Sequence, residues 1–193
     1  MLNLDVEKIN SLPIIILSSP RTGSTMLGMY IQKKLNLHFF NEPGNAGEQA
    51  LHKFLTFEQV NKKYVLKEHT LRYIQYYPNT FKIKPAYKIR LRRKNVFEQI
   101  LSKFVAVSRN KHFYANQETY VPDIINLDKD RLIDCFNYIS KFNIQTNSLS
   151  SDFDLDLFYE DLNIDTQESI PTPKPANAEE VSKWAYAILK NKI

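Results

Sequence analysis

Ile14-Ile15-Ile16-Leu17-Ser18-Ser19-Pro20-Arg21-Thr22-Gly23-Ser24-Thr25-Met26-Leu27 is the stretch that decides the fold. Its short apolar run, rich in β-branched residues, reads as a buried strand. A turn holding Pro20 and Gly23 follows, and a helical pattern begins at about Ser24. Such a junction makes an anion site, because the first amides of a helix have no internal partners and its dipole favours negative charge. Ser24 and Thr25 add hydroxyl donors and Arg21 adds a fixed cation, so this turn suits a phosphate or a sulfate.

The rest of the composition narrows the class. With 193 residues the chain is long enough for one domain with a substantial core. Glycines are few and crowd into the first quarter, at positions 23, 28, 44 and 47, which points to special backbone conformations there. Cys135 is the single cysteine, which excludes an intrachain disulfide and a cysteine-based zinc site. Its place in an amphipathic helical pattern assigns it to the core. Residues 12–17 are too short to span a bilayer and no secretory signal is visible, so a cytoplasmic protein is expected. The formal charge of +5 is unevenly spread. Lys82, Lys84, Lys88, Arg90, Arg92, Arg93 and Lys94 form one basic cluster, which fits a polynucleotide, a small polyanion or a solvated face.

Strand and helix patterns alternate along the chain. A strand at 13–18 and a helix at 24–35 form the first unit, with Met26, Leu27, Tyr30, Ile31 and Leu35 on a buried face. A second strand at 37–40 ends in the turn Asn41-Glu42-Pro43-Gly44. A helix at 48–63 and a short strand at 64–67 follow. Residues 86–92 alternate, with Tyr87, Ile89 and Leu91 on one face and Lys88, Arg90 and Arg92 on the other. Asn95 is the expected N-cap of a helix at 96–108. Residues 112–127 read as a long loop, 128–144 as an amphipathic helix and 147–154 as a polar connection. A last strand at 155–159 precedes an acidic turn at Glu160 and Asp161. Residues 170–175 should be extended and exposed, before a final helix from about Asn177 that docks Trp184 and Leu189 on the core. The pattern argues for an α/β fold with a mostly parallel sheet.

The loop is not that of a nucleoside triphosphatase. In the pattern G-x-x-x-x-G-K-[ST], Ser18 stands where the first glycine belongs and Ser24 where the lysine belongs. Pro20-Arg21-Thr22-Gly23-Ser24-Thr25 instead resembles the 5′-phosphosulfate loop of sulfotransferases that use 3′-phosphoadenosine 5′-phosphosulfate (PAPS). Three later stretches extend the resemblance over residues 14–187. Leu91-Arg92-Arg93-Lys94-Asn95, with Ser102 two helical turns on, resembles the family's 3′-phosphate motif. Arg93 with Ser102 is the best pairing, with Arg92 and Lys94 as alternatives. Leu157-Phe158-Tyr159-Glu160-Asp161-Leu162 resembles the strand-ending Tyr-Glu-Asp-Leu of many members. Thr172-Pro173-Lys174 resembles the basic loop that closes over the donor nucleotide through Lys174.

The resemblance implies a three-layer P-loop-like α/β fold, here a single domain over residues 1–193. It also implies PAPS as donor, 3′,5′-adenosine bisphosphate as product, and no metal. Arg21, Thr22, Gly23, Ser24 and Thr25 would hold the reacting end of the donor. Sulfuryl transfer, like phosphoryl transfer, needs alignment, charge stabilisation and a general base. Glu42 resembles the glutamate base of the tyrosylprotein sulfotransferases. Leu66-Lys67-Glu68-His69-Thr70 resembles the Lys-Thr-His of cytosolic members, in which histidine is the base and lysine assists. Glu42 is favoured, because arginine in the loop goes with glutamate-type members, and Lys67 lines the site. If the second strand lies beside the first, Glu42 opens on the same crevice as the loop. The expected acceptor is a small molecule, a glycan or a peptide, with its pocket drawn from residues 73–85 and 112–122. A membrane partner is not expected. An acceptor side completed by a second copy of the chain stays open. A nucleic-acid-binding protein and a kinase-like enzyme using ATP and magnesium are the rival readings.

Overall fold

Strand β1, Ile14–Ser18, is buried at every position because its two faces enter two different cores. Ile14 and Ile16 join Leu27, Ile31, Val65, Ile89 and Leu91 on one face. Ile15 and Leu17 join Phe40, Phe54, Tyr64, Leu66 and Tyr73 on the other. Each such side chain contributes about 1.5–3 kcal/mol through burial, so an unbroken aliphatic run is what this position in a sheet selects. The computed structural model describes residues 9, 11–61, 63–76, 85–109, 123–149, 153–162 and 174–193. These fall into two compact units, Met1–Lys94 with Phe142–Ile164, and Asn95–Lys141 with Asp165–Ile193.

The first unit is a three-layer α/β structure. Helix α1 is Ser24–Leu35, β2 is Phe39–Asn41, α2 is Glu48–Val60, β3 is Val65–His69, α3 is Thr70–Tyr76, β4 is Tyr87–Arg92 and β5 is Leu155–Phe158. Among the described residues the sheet has five strands in the order β2-β3-β1-β4-β5, and every pairing is parallel. The chain winds to one side of β1 and then to the other, so the loop after β1 sits where the strand order reverses, which is where such sheets bind ligands. Helix α1 packs on one face, and α2 and α3 on the other. Gly28 of α1 lies against the ring of Phe39, where a Cβ would collide.

In the second unit α4, Val96–Ser108, is capped by Asn95, whose Oδ1 accepts from Glu98 N at 3.0 Å. Helix α5, Lys129–Ser148, supplies residues to both units, and α6 is Ala178–Leu189. Ile100, Phe104, Leu132, Ile139, Val181, Ala185 and Leu189 share a core with Cys135, whose thiol is pushed up to about 11 by burial. Trp184 packs against this core and its ring lies 5.6 Å from that of Phe104.

Several boundaries move. β3 runs on to His69 rather than stopping at Lys67, because its ionisable side chains find partners inside the protein. α2 ends at Val60, short of residue 63, and α5 extends to Ser148 into the stretch read as a connection. Pro175 is buried rather than exposed, while Lys174 beside it is exposed. β2 does not lie beside β1, since β3 intervenes. Residues 77–84, 110–122 and 163–173 lie outside the described residues, and with them most of the expected acceptor loops, Lys82, Lys84, Thr172 and Pro173. Among the described residues no helix is long and apolar enough to cross a membrane.

Candidate active site

The loop between β1 and α1 is held by its own hydroxyls. Ser18 Oγ donates to Ser24 Oγ at 2.8 Å, and Thr22 Oγ1 donates to the Ser19 carbonyl at 3.0 Å. Ser19 Oγ donates to Asn143 Oδ1 of α5 at 2.5 Å. Arg21 and Gly23 both take left-handed backbone conformations, with φ of 63° and 78°. Two such residues within three positions curl the chain, a backbone form that can gather amide N–H groups around an anion. The first helical bond runs from Leu27 N to the Gly23 carbonyl, so the amides of residues 24–26 precede it. Burial pulls the Arg21 guanidinium below its ordinary value, and neighbouring Arg93 adds to this. An anion arriving here would relieve that crowding of positive charge.

Glu42 and His69, which compete for one role in the sequence, meet at one point. The Asn41–Lys67 register of β2 and β3 places Glu42 one step past the paired ends, and Glu42 N donates to the Lys67 carbonyl at 2.8 Å. Glu42 Oε1 then meets Lys67 Nζ in a close ion pair and stands 3.2 Å from His69 Nε2. Lys67 and His69 are two apart on β3 and so share a face. Thr25 Oγ1 donates to Asn41 Oδ1 at 3.3 Å, which ties the first turn of α1 to the residue before Glu42. Glu42 has φ of 51°, left-handed and ahead of Pro43, a conformation non-glycine residues rarely adopt and one more often found at functional sites.

Lys67 is 2% exposed, and burial pulls its ammonium down to about 7, with the Glu68 charge opposing and Arg21 reinforcing. The unfolded chain holds that proton up to about 10.5, so between these values it binds more protons than the folded protein. Stability therefore rises with pH across that window. Lys67→Met is expected to remove the rise: its melting temperature should exceed wild type most near about pH 6, with the advantage shrinking steadily and lost only near about pH 10.5, read from thermal melts. A constant difference across that range would contradict the assignment.

Of the basic residues at the end of β4, Arg93 is the one in contact with the loop. Arg93 Nη1 donates to the Arg21 carbonyl at 3.2 Å, its Nε lies 3.5 Å from Glu160, and its guanidinium stacks 5.2 Å from the Tyr159 ring centre. Tyr159 opens a single 3-10 turn, Tyr159–Asp161, after β5, and its ring also covers Gly23. Arg92 instead joins Arg90 on Asp156, at 2.6 and 2.5 Å, and Lys94 Nζ pairs with Asp161 at 2.6 Å. Burial pushes the Asp156 carboxyl up, but the two arginines outweigh it and hold it low. Ser102 lies in α4 and Lys174 ahead of α6, both in the second unit.

Sequence reasoning missed Tyr159, Asn143 and Glu68. For Glu68 a signal existed: Lys67, Glu68 and His69 are three ionisable residues in a row at the end of an apolar strand pattern, and such residues are rarely buried without partners.

No family profile matches the sequence, and no curated protein sequence matches it either. Among solved structures the chain is similar to mouse sulfotransferase SULT7A1 complexed with PAP, with 15% identity, a TM-score of 0.53, and coverage of 98% of this chain and 72% of that one. Shikimate kinase from Aquifex aeolicus vf5 aligns at 14% identity and a TM-score of 0.40, over 93% of this chain and 97% of that one. Shikimate kinase from Acinetobacter baumannii in complex with shikimate aligns at 15% and 0.41, over 97% and 98%. At such identities the likeness is one of fold: a five-stranded parallel sheet flanked by helices, of the P-loop-like kind.

Proposed function

We propose that this chain is a sulfotransferase that moves a sulfuryl group from PAPS to an acceptor hydroxyl or amine. The observation that carries the reading is the meeting of Glu42, Lys67 and His69 beside an arginine-bearing anion loop that lacks the triphosphatase lysine. Arg21 and the amides at the start of α1 would hold the 5′-phosphate and take up the charge that grows on it as the bond to sulfur breaks. Arg93 would hold the 3′-phosphate of the donor. The acceptor oxygen forms the new bond to sulfur, the old bond's electron pair leaves with the phosphate oxygen, and Glu42 takes the acceptor's proton. Lys67, which burial brings down to about 7, can return a proton to the cluster or share the developing charge.

The basic strand gives weaker support to a polynucleotide partner, because Arg90, Arg92, Arg93 and Lys94 are matched by Asp156, Glu160 and Asp161. Titration calorimetry tests the proposal. 3′,5′-Adenosine bisphosphate should bind, and Arg21→Ala should weaken it by roughly tenfold to a hundredfold, the worth of a charge-assisted hydrogen bond. Preference for ATP with magnesium, or salt-dependent binding of RNA without binding of the bisphosphate, would replace this reading with a kinase or a nucleic-acid partner.

A further inference from the structure

We propose that Glu68 is the positioning residue of this site, locking the turn that carries Glu42 to the strand tip that carries His69; the inference rests on the reading of Glu42 as the base. Glu68 is 0% exposed at the next-to-last position of β3. Its Oε2 accepts from Gly44 N at 2.9 Å and its Oε1 from His69 N at 2.9 Å. Both oxygens are thus spent on backbone amides, one on the Glu42-Pro43-Gly44 turn and the other at the end of its own strand.

A carboxylate in such a place is costly, and an aliphatic residue would fill the same space at less expense. What the carboxylate adds is a link between two segments far apart in sequence. The turn needs one. Glu42 sits in a left-handed conformation ahead of proline, and its carbonyl accepts from the amides of Asn45 and Ala46, at 2.9 and 3.0 Å, which are bonds internal to the turn. Among the described residues, the turn's backbone is tied to β3 by Glu42 N to the Lys67 carbonyl and by Gly44 N to Glu68, and its one carboxylate by Lys67 and His69. Without the second, the turn can pivot about the first, and the Glu42 carboxylate can leave Lys67 and His69. Around Lys67 the charged groups are Glu42 from the β2 turn, Arg21 from the loop, and Glu68 and His69 from its own strand, with Arg72 of α3 beside Glu68.

Glu68→Gln is isosteric but can accept at only one of the two positions. By NMR, amide exchange at Gly44 should accelerate by about tenfold or more in this variant. The Lys67 titration should move down by about one pH unit, since a charge that supports its ammonium is gone and Glu42 is no longer fixed beside it. Affinity for 3′,5′-adenosine bisphosphate should stay unchanged. A folded Glu68→Gln protein in which Gly44 exchange rises no more than that of the β1 amides, with an unmoved Lys67 midpoint, would overturn the proposal, since lower stability alone speeds both sets of amides alike. If the wild type fails to bind the bisphosphate, the donor reading falls, and Glu68's hold on Glu42 is still decided by the two NMR readouts.

Discussion

Replacing Glu42 by glutamine is expected to slow sulfuryl transfer by about a hundredfold to ten-thousandfold, the range set by loss of a general base. Affinity for 3′,5′-adenosine bisphosphate should be preserved. The measurement is turnover of labelled PAPS against a panel of phenols, sugars and tyrosine-containing peptides, paired with calorimetry. Glutamine keeps the shape and can still accept from Lys67 Nζ, so the loss would report the missing proton acceptor rather than a collapsed site. His69 stands within 3.2 Å of the same oxygen, which makes it the control. If Glu42→Gln turns over normally and His69→Ala is dead, the base is His69 and the glutamate only orients it.

Gly23→Ala should have the largest effect on stability. Its φ of 78° costs an L-residue about 1–2 kcal/mol, and the added methyl would enter the space of the Tyr159 ring. Overpacking of that kind costs about 1–3 kcal/mol. A loss near 3 kcal/mol corresponds to roughly 10 °C in melting temperature for a chain of this size. Bisphosphate binding should fall with it, because the amides that gather at the loop are displaced. Adding Tyr159→Ala to the variant separates the causes. The double variant should recover the steric part and leave the backbone part. If Gly23→Ala melts with wild type, the close approach of Tyr159 to the loop is not part of the folded protein.

The sequence made the first β–α unit legible because each local rule agreed there: an apolar run for a doubly covered strand, a polar turn, and a buried stripe at helical spacing. α1 and α4 were read at their observed bounds for the same reason, the second helped by Asn95 as its cap. The site was legible in its parts and not in its assembly. Nothing in the order of residues says that β3, rather than β1, is the neighbour of β2, and that pairing is what brings Glu42 to Lys67 and His69. The end of β3 was missed because ionisable side chains such as Glu68 and His69 read as the end of a buried strand until their partners are known. Tyr159 could be seen only as part of a short motif, since its contact with Gly23 joins positions 136 residues apart (159 minus 23).

The two-sided burial of β1 has a mechanical consequence. Sliding this strand along its axis would unseat side chains in two cores at once, and both are close-packed. The loop that follows β1 is therefore mounted on a strand that resists displacement on both faces. The Glu42 turn is anchored differently, since its backbone is held to β3 by the Lys67 carbonyl and by the buried Glu68 carboxylate. In the proposed reading, the socket for the donor and the base are thus held by separate anchors on one sheet.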